Sequence, residues 1–183
     1  EDLPTAVSKK DPILGLINLA RLKKTTLRDE YNKSSIDIPW NTIDYIDRSF
    51  LDYKHHMGLY DFTDMLEVFI KESANCCPKF KVTFLDEAQD LSPLQWDLAH
   101  ILDKNSERMY CAGDDDQAIY RWAGADVDQF ISLDGGSETL EQSYRIPSSV
   151  HTLAENVAKR IHRRFPKTYL PRAEKGSVER INS

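Results

Sequence analysis

The sequence predicts an α/β protein in which a parallel sheet with flanking helices is preceded by a helical segment, and three observations carry that prediction. Apolar residues recur at spacings of three and four through roughly the first 75 positions, which is the period of amphipathic helices. After Pro78 the pattern changes to short β-rich apolar runs separated by a capped helix, an alternation that builds parallel sheets. Two of those runs lead into acidic clusters, and ligands of such sheets collect at the carboxyl ends of the strands.

Taken in order, Asp11-Pro12 reads as an N-cap followed by proline at the first helical position, with Ile13, Leu16, Ile17 and Ala20 on one face. From Trp40 to Met57, the residues Ile43, Ile46, Phe50, Tyr53 and Met57 form a stripe expected to be core, and Gly58 closes the helix. Asp61 caps a further helix running through Met65, Leu66, Phe69 and Ile70, with Asp64 placed to favour its positive end. KVTFL, residues 81–85, reads as a buried strand. Ser92-Pro93-Leu94-Gln95 is a capping box that opens a helix carrying Trp96, Leu98, Ala99, Ile101 and Leu102. A second strand is expected at residues 108–112 and a third at 139–142. Pro147-Ser148-Ser149 then starts a helix with Val150, Leu153, Ala154, Val157 and Ile161 on its buried face.

A chain of 183 residues, 40% hydrophobic and 30% charged, suffices for one ordinary core or two small ones. No run reaches the roughly 18 apolar residues that span a bilayer, and EDLPTAVSKK lacks the apolar stretch of a signal peptide. The expected setting is therefore the cytoplasm of a bacterial or phage-like system, or the nucleus if the source is eukaryotic, with no membrane partner. Cys76, Cys77 and Cys111 form neither a metal-ligand spacing nor an even disulfide framework. The net charge of −6 conceals a segregation: residues 82–141 hold 14 acidic and 3 basic side chains, whereas residues 145–175 hold 8 basic and 2 acidic. These read either as two ordinary surfaces or as a Mg²⁺-holding cluster beside a phosphate-meeting face.

The first acidic cluster lies in VTFLDEAQD, residues 82–90. A strand ending in Asp-Glu suits nucleotide hydrolysis, since the first carboxylate can hold Mg²⁺ directly or through water and the second can polarise an attacking water. The second lies in GDDDQAIYRWAGAD, residues 113–126, where the neutral amide of Gln117 stands at a strand end and can report on a γ-phosphate. Asp114 reads equally as a cap or turn residue.

VTFLDEAQD, GDDDQAIYRWAGAD and LEQSYRIPSSV, in this order and spacing, resemble motifs II, III and IV of the UvrD/Rep/PcrA-type superfamily I DNA helicases. LYDFTDML is similar to the segment upstream of motif II, so the resemblance covers at least residues 59–167. It implies a partial RecA-like P-loop NTPase motor domain and ATP-driven translocation along single-stranded DNA, usually 3′ to 5′. By position, residues 1–58 resemble part of the helical insertion called 1B. Residues 59–143 match the C-terminal part of the first motor domain, and 144–183 the start of the second.

Carried over by position, the resemblance makes Asp86 the Mg²⁺-holding aspartate, Glu87 the catalytic base and Gln117 the γ-phosphate contact. Gln89 and Asp90 couple motif II to motif III. Tyr144 stacks on adenine and Arg145 reaches the γ-phosphate. Trp122 stacks on a DNA base, and Arg121 is its basic neighbour at the DNA. This arginine precedes the tryptophan here, where the family pattern places one after it.

None of the seven glycines belongs to a G-x-x-x-x-G-K-[ST] phosphate loop, and no later motif of the second motor domain is recognisable. The chain is therefore expected to be a fragment that works with the remaining helicase domains of a parent chain and hydrolyses little ATP alone. The alternatives are a non-catalytic DNA-binding or protein-interaction module of the same fold, and a fragment of a helicase-nuclease fusion. A metal-dependent nuclease would use Asp86, Glu87 and residues 114–116 as a two-metal site.

Overall fold

The computed structural model describes residues 11–181, so the first ten residues of the predicted helical segment lie outside the described residues. Four helices come first: α1 (Pro12–Leu22), α2 (Leu27–Lys33), α3 (Trp40–Met57) and α4 (Phe62–Cys76). The Asp11 carboxylate accepts from the N–H groups of Ile13 and Leu14, and α1 buries Ile13, Leu16, Ile17 and Ala20, the face expected from the sequence. Gly58 ends α3 with φ of 63°, a left-handed conformation that a side chain would strain. The unforeseen α2 is short and polar, LRDEYNK, and so carries no apolar period to betray it.

The apolar stripes of α3 and α4 are less buried than their period implies. On α3 only Ile43 of the stripe is fully buried, Tyr53 and Met57 are exposed, and Lys54 is buried instead. On α4 the buried residue is Thr63. Charge joins these helices where apolar packing was expected. Arg21 of α1 reaches Asp61 at 3.0 Å, Asp64 at 2.6 Å and Glu67 at 2.8 Å, and Lys54 reaches Asp61 and Asp64 at 2.7 Å each. Asp61 and Asp64 also form the capping box of α4, so one carboxylate pair both starts the helix and docks it.

β1 (Phe80–Leu85) pairs in parallel with β2 (Ser106–Cys111), Phe80 opposite Ser106 and Leu85 opposite Cys111. The crossover is α5 (Pro93–Lys104), opened by the expected capping box between Ser92 and Gln95. One face of this pair packs on Ala88, Trp96, Ala99, Val127 and Phe130, with α6 (Val127–Ile131) closing the layer and Trp96 Nε1 donating to the Asp126 carbonyl. The strand expected to be buried is covered on that face alone among the described residues: on the opposite face Val82, Phe84 and Tyr110 are exposed, the last two stacked at 5.4 Å.

The third strand differs from expectation. β3 spans Gln142–Pro147 and pairs in parallel with β4 (Leu170–Arg172), across α7 (Ser148–Ala158), so the described residues hold two two-stranded sheets. Tyr144 and Ile146 supply the aromatic and β-branched residues that favour extended chain, whereas in residues 139–141 only Thr139 is of that kind. The expected buried face of α7 is open: Leu153 and Val157 are exposed.

Candidate functional site

β1 ends at Leu85 and delivers Asp86 and Glu87 to solvent. The Asp86 Oδ1 accepts from the Glu87 N–H at 3.0 Å, and no other hydrogen bond among the described residues occupies its carboxylate. An exposed carboxylate with a free oxygen suits Mg²⁺, which keeps several waters and takes one or two carboxylates together with substrate phosphates. Glu87 adopts φ of 51°, one of two non-glycine residues with positive φ among the described residues. Strain of this kind persists where its surroundings hold it, and it clusters at functional sites.

What holds it is Gln89, buried in the 3₁₀ turn Ala88–Asp90. Its Nε2 donates to Glu87 Oε2 at 2.8 Å and its Oε1 accepts from the backbone N–H of Asp114 at 3.0 Å. One amide therefore bridges the ends of β1 and β2. The main chain repeats the link, Ala112 N–H donating to Leu85 O at 2.7 Å and Ala88 N–H to Ala112 O at 3.0 Å. Burial, and next the charge of Glu87, push the Asp90 carboxyl above its ordinary range, against the hydrogen bond from Gln89.

The three aspartates after Gly113 do not stand open to solvent. Asp114 accepts from the Asp116 N–H at 3.2 Å as a cap and from Gln117 Nε2 at 2.6 Å. Lys167 lies 2.8 Å from Asp114, 3.4 Å from Asp116 and against Asp115, while Arg164 pairs with Asp116 at 2.6 Å. The Phe165 N–H donates to Asp115 at 2.8 Å. Burial opposes the charge on Asp114, but hydrogen bonds from Gln117 and Lys167 hold its pKa below the usual carboxylate range. Carboxylates engaged this way are not free to take a second metal, and among the described residues no cluster of His, Cys, Asp or Glu is arranged to hold one. The two-metal nuclease reading does not fit. The basic segment expected to meet phosphate is in part turned inward, where Arg164 and Lys167 serve the aspartates, while Arg163 stays exposed and pairs with Asp128 at 3.0 Å.

Beyond the triplet, Gln117 is exposed at the end of its 3₁₀ turn. Trp122 is 70% exposed and tilted against Tyr120 at 6.3 Å, so it is no core residue of the described chain. Arg121 is engaged with Asp128 at 3.2 Å. Tyr144 and Arg145 lie on β3, both exposed, and share no hydrogen bond or ion pair with Asp86, Glu87 or Gln117. A cleft of about 560 Å³ is bounded by Thr139, Glu141 and the run from Arg164 to Thr168, and none of the site residues expected from the sequence lines it. Lys167 and Arg164 were missed as residues of this site, although the opposed charges of the two segments were the visible signal.

The model of the UvrD/REP helicase N-terminal domain matches residues 8–136. A probable DNA helicase II homolog of Rickettsia conorii is 31% identical over 193 aligned positions, covering 99% of this chain and 26% of the relative. Its counterpart in Rickettsia felis is 28% identical over the same span. The ATP-dependent DNA helicase PcrA of Staphylococcus aureus is 33% identical over 94 positions, covering 49% of the chain and 13% of that protein. The chain thus spans about a quarter of the length of the relatives that align with nearly all of it. Its α/β architecture is that of a partial RecA-like domain, and the chain belongs to the UvrD/REP helicase family.

Proposed function

We propose that this chain is part of a motor that couples ATP hydrolysis to movement along single-stranded DNA, with 3′ to 5′ polarity. The observation that carries the reading is the Gln89 bridge, which ties Glu87 at the end of β1 to the backbone of Asp114 at the end of β2. The first strand end presents the two carboxylates suited to nucleotide hydrolysis, and the second leads through Gln117 to the exposed Trp122. In this reading Asp86 holds Mg²⁺, which when bound neutralises developing phosphate charge. Glu87 takes the proton of the attacking water, and Gln117 senses the γ-phosphate. Trp122 offers an aromatic face to a base, with Arg121 as its basic neighbour. Tyr144 and Arg145 serve adenine and γ-phosphate, the guanidinium being always charged and able to bind two oxygens.

The phosphate loop and the rest of the second motor domain belong to the remaining helicase domains of the parent, so the isolated chain turns over little ATP. The working compartment is the cytoplasm, or the nucleus of a eukaryote. Similarity to a protein named as an ATP-dependent DNA helicase supports the choice of nucleotide and of polymer. Glu87→Gln in the full-length protein tests the reading, because it removes the water-activating charge and keeps the shape. ATP turnover should fall about 10²- to 10⁴-fold with ATP binding nearly intact. Turnover within about twofold of wild type would remove Glu87 as the base.

A further inference from the structure

Lys167 stands in the segment between α7 and β4, outside all three helicase motifs, yet its side chain is only 6% exposed. A buried ammonium is costly unless it is paired, and here Asp114, Asp115 and Asp116 all face it. Arg164 adds a second cation on Asp116. An anchor would need no more than that. The other oxygen of Asp114, however, holds Gln117 Nε2 at 2.6 Å, and the Asp114 N–H donates to Gln89, whose Nε2 in turn contacts Glu87. A continuous run of polar contacts therefore leads from Lys167 through Asp114 to Gln117 on one branch and to Glu87 on the other.

We propose that Lys167 is a positioning residue that sets the Gln117 amide through Asp114 and so tunes ATP turnover to the placement of the β3–β4 unit. The inference rests on the motor reading given above. Lys167 fixes the Asp114 carboxylate by one oxygen and directs the other to Gln117. The amide nitrogen is thereby held, leaving its carbonyl oxygen and second N–H for the nucleotide or water. β4 starts at Leu170, close behind Lys167 in the chain, and pairs with the strand that carries Tyr144 and Arg145. Displacement of that unit therefore pulls on Asp114. Burial opposes the charge on Lys167, but the hydrogen bonds it donates to Asp114 and Asp115 raise its pKa, so it stays charged at neutral pH.

The test uses the full-length protein in steady-state ATPase assays with and without single-stranded DNA, alongside thermal melting. Lys167→Met should lower DNA-stimulated kcat about tenfold with KM for ATP within about twofold, and Lys167→Arg should recover most of the loss. The double variant Lys167→Met with Gln117→Ala should be no worse than Gln117→Ala alone, because the two act as one unit. Multiplying losses in the double variant, or wild-type kcat in Lys167→Met, overturns the proposal. Should Lys167→Met fail to fold, Asp114→Asn decides: it leaves Lys167 two carboxylates, and it should show the same kcat loss in protein that thermal melting shows to be folded at the assay temperature. Wild-type kcat there overturns the proposal equally. Glu87→Gln in the same assay separates the two levels, since a dead Glu87→Gln beside wild-type Lys167 variants overturns the positioning role alone. A fully active Glu87→Gln overturns the motor reading and this role with it.

Discussion

A Cβ added at Gly113 would lie 2.7 Å from Gln89 Oε1 and 2.9 Å from Phe130 Cζ. Neither neighbour is free to yield, since Gln89 is tied to Glu87 and Asp114 and Phe130 is buried, edge-on to Phe165 at 6.0 Å. The glycine is required by close approach at the bridge between the strand ends. Gly113→Ala should therefore cost about 1–3 kcal/mol, the scale of overpacking a filled interior. In urea this is a lower midpoint at unchanged slope, and an unchanged midpoint would mean that the loop gives way freely. Trp122 poses the opposite case, a large side chain with most of its surface in solvent. Trp122→Ala should weaken single-strand affinity by about 1–3 kcal/mol and leave the melting temperature nearly unchanged. Fluorescence titration with an oligonucleotide reads this directly, and undiminished affinity would remove the stacking platform.

At the scale of elements, α4 shows how a cap can serve as a joint. Burial opposes the charge on Asp61, but hydrogen bonds from Lys54 and from the Asp64 backbone, with the charge of Arg21, bring its pKa down to about 2. A carboxyl depressed in the folded state stabilises the fold fully above its unfolded pKa, about 4, and the contribution is lost as the pH falls through the folded value. Asp114 and Glu30 are lowered too and act in the same direction. The melting temperature should accordingly fall between about pH 4 and pH 2, the window set by the Asp61 shift. Lys54→Met, which removes the largest of the influences lowering the Asp61 pKa, should show a lower neutral-pH melting temperature and a shallower acid loss. An acid profile parallel to wild type would show that Lys54 does not set the Asp61 carboxyl. The same elements explain why the α3 and α4 stripes misled. A three-and-four spacing reports that a helix has an apolar face, but burial of that face depends on whether another element reaches it.

Across the whole molecule, the acidic and basic segments of the chain are complementary to each other. The contacts that join them, Arg164 to Asp116, Phe165 to Asp115 and Lys167 to Asp115, span 48, 50 and 52 residues. Among the described residues such pairing engages Asp114, Asp115 and Asp116 while Asp86 keeps a carboxylate oxygen open for a cation, a distinction invisible in a row of Asp letters. The sequence by itself determined the features whose causes lie within a few residues: the caps at Asp11, Asp61 and Ser92, the glycine stop of α3, and the strand that presents Asp86 and Glu87. It also determined the family, because three long motifs in order are themselves a sequence property. Only the tertiary structure decided that β3 joins β4, that Gln89 bridges the strand ends, that Trp122 is exposed, and that Lys167 is buried among aspartates. Each of these depends on contacts between segments distant in the chain, where burial and charge pairing are settled by packing and leave no periodic trace in the order of residues.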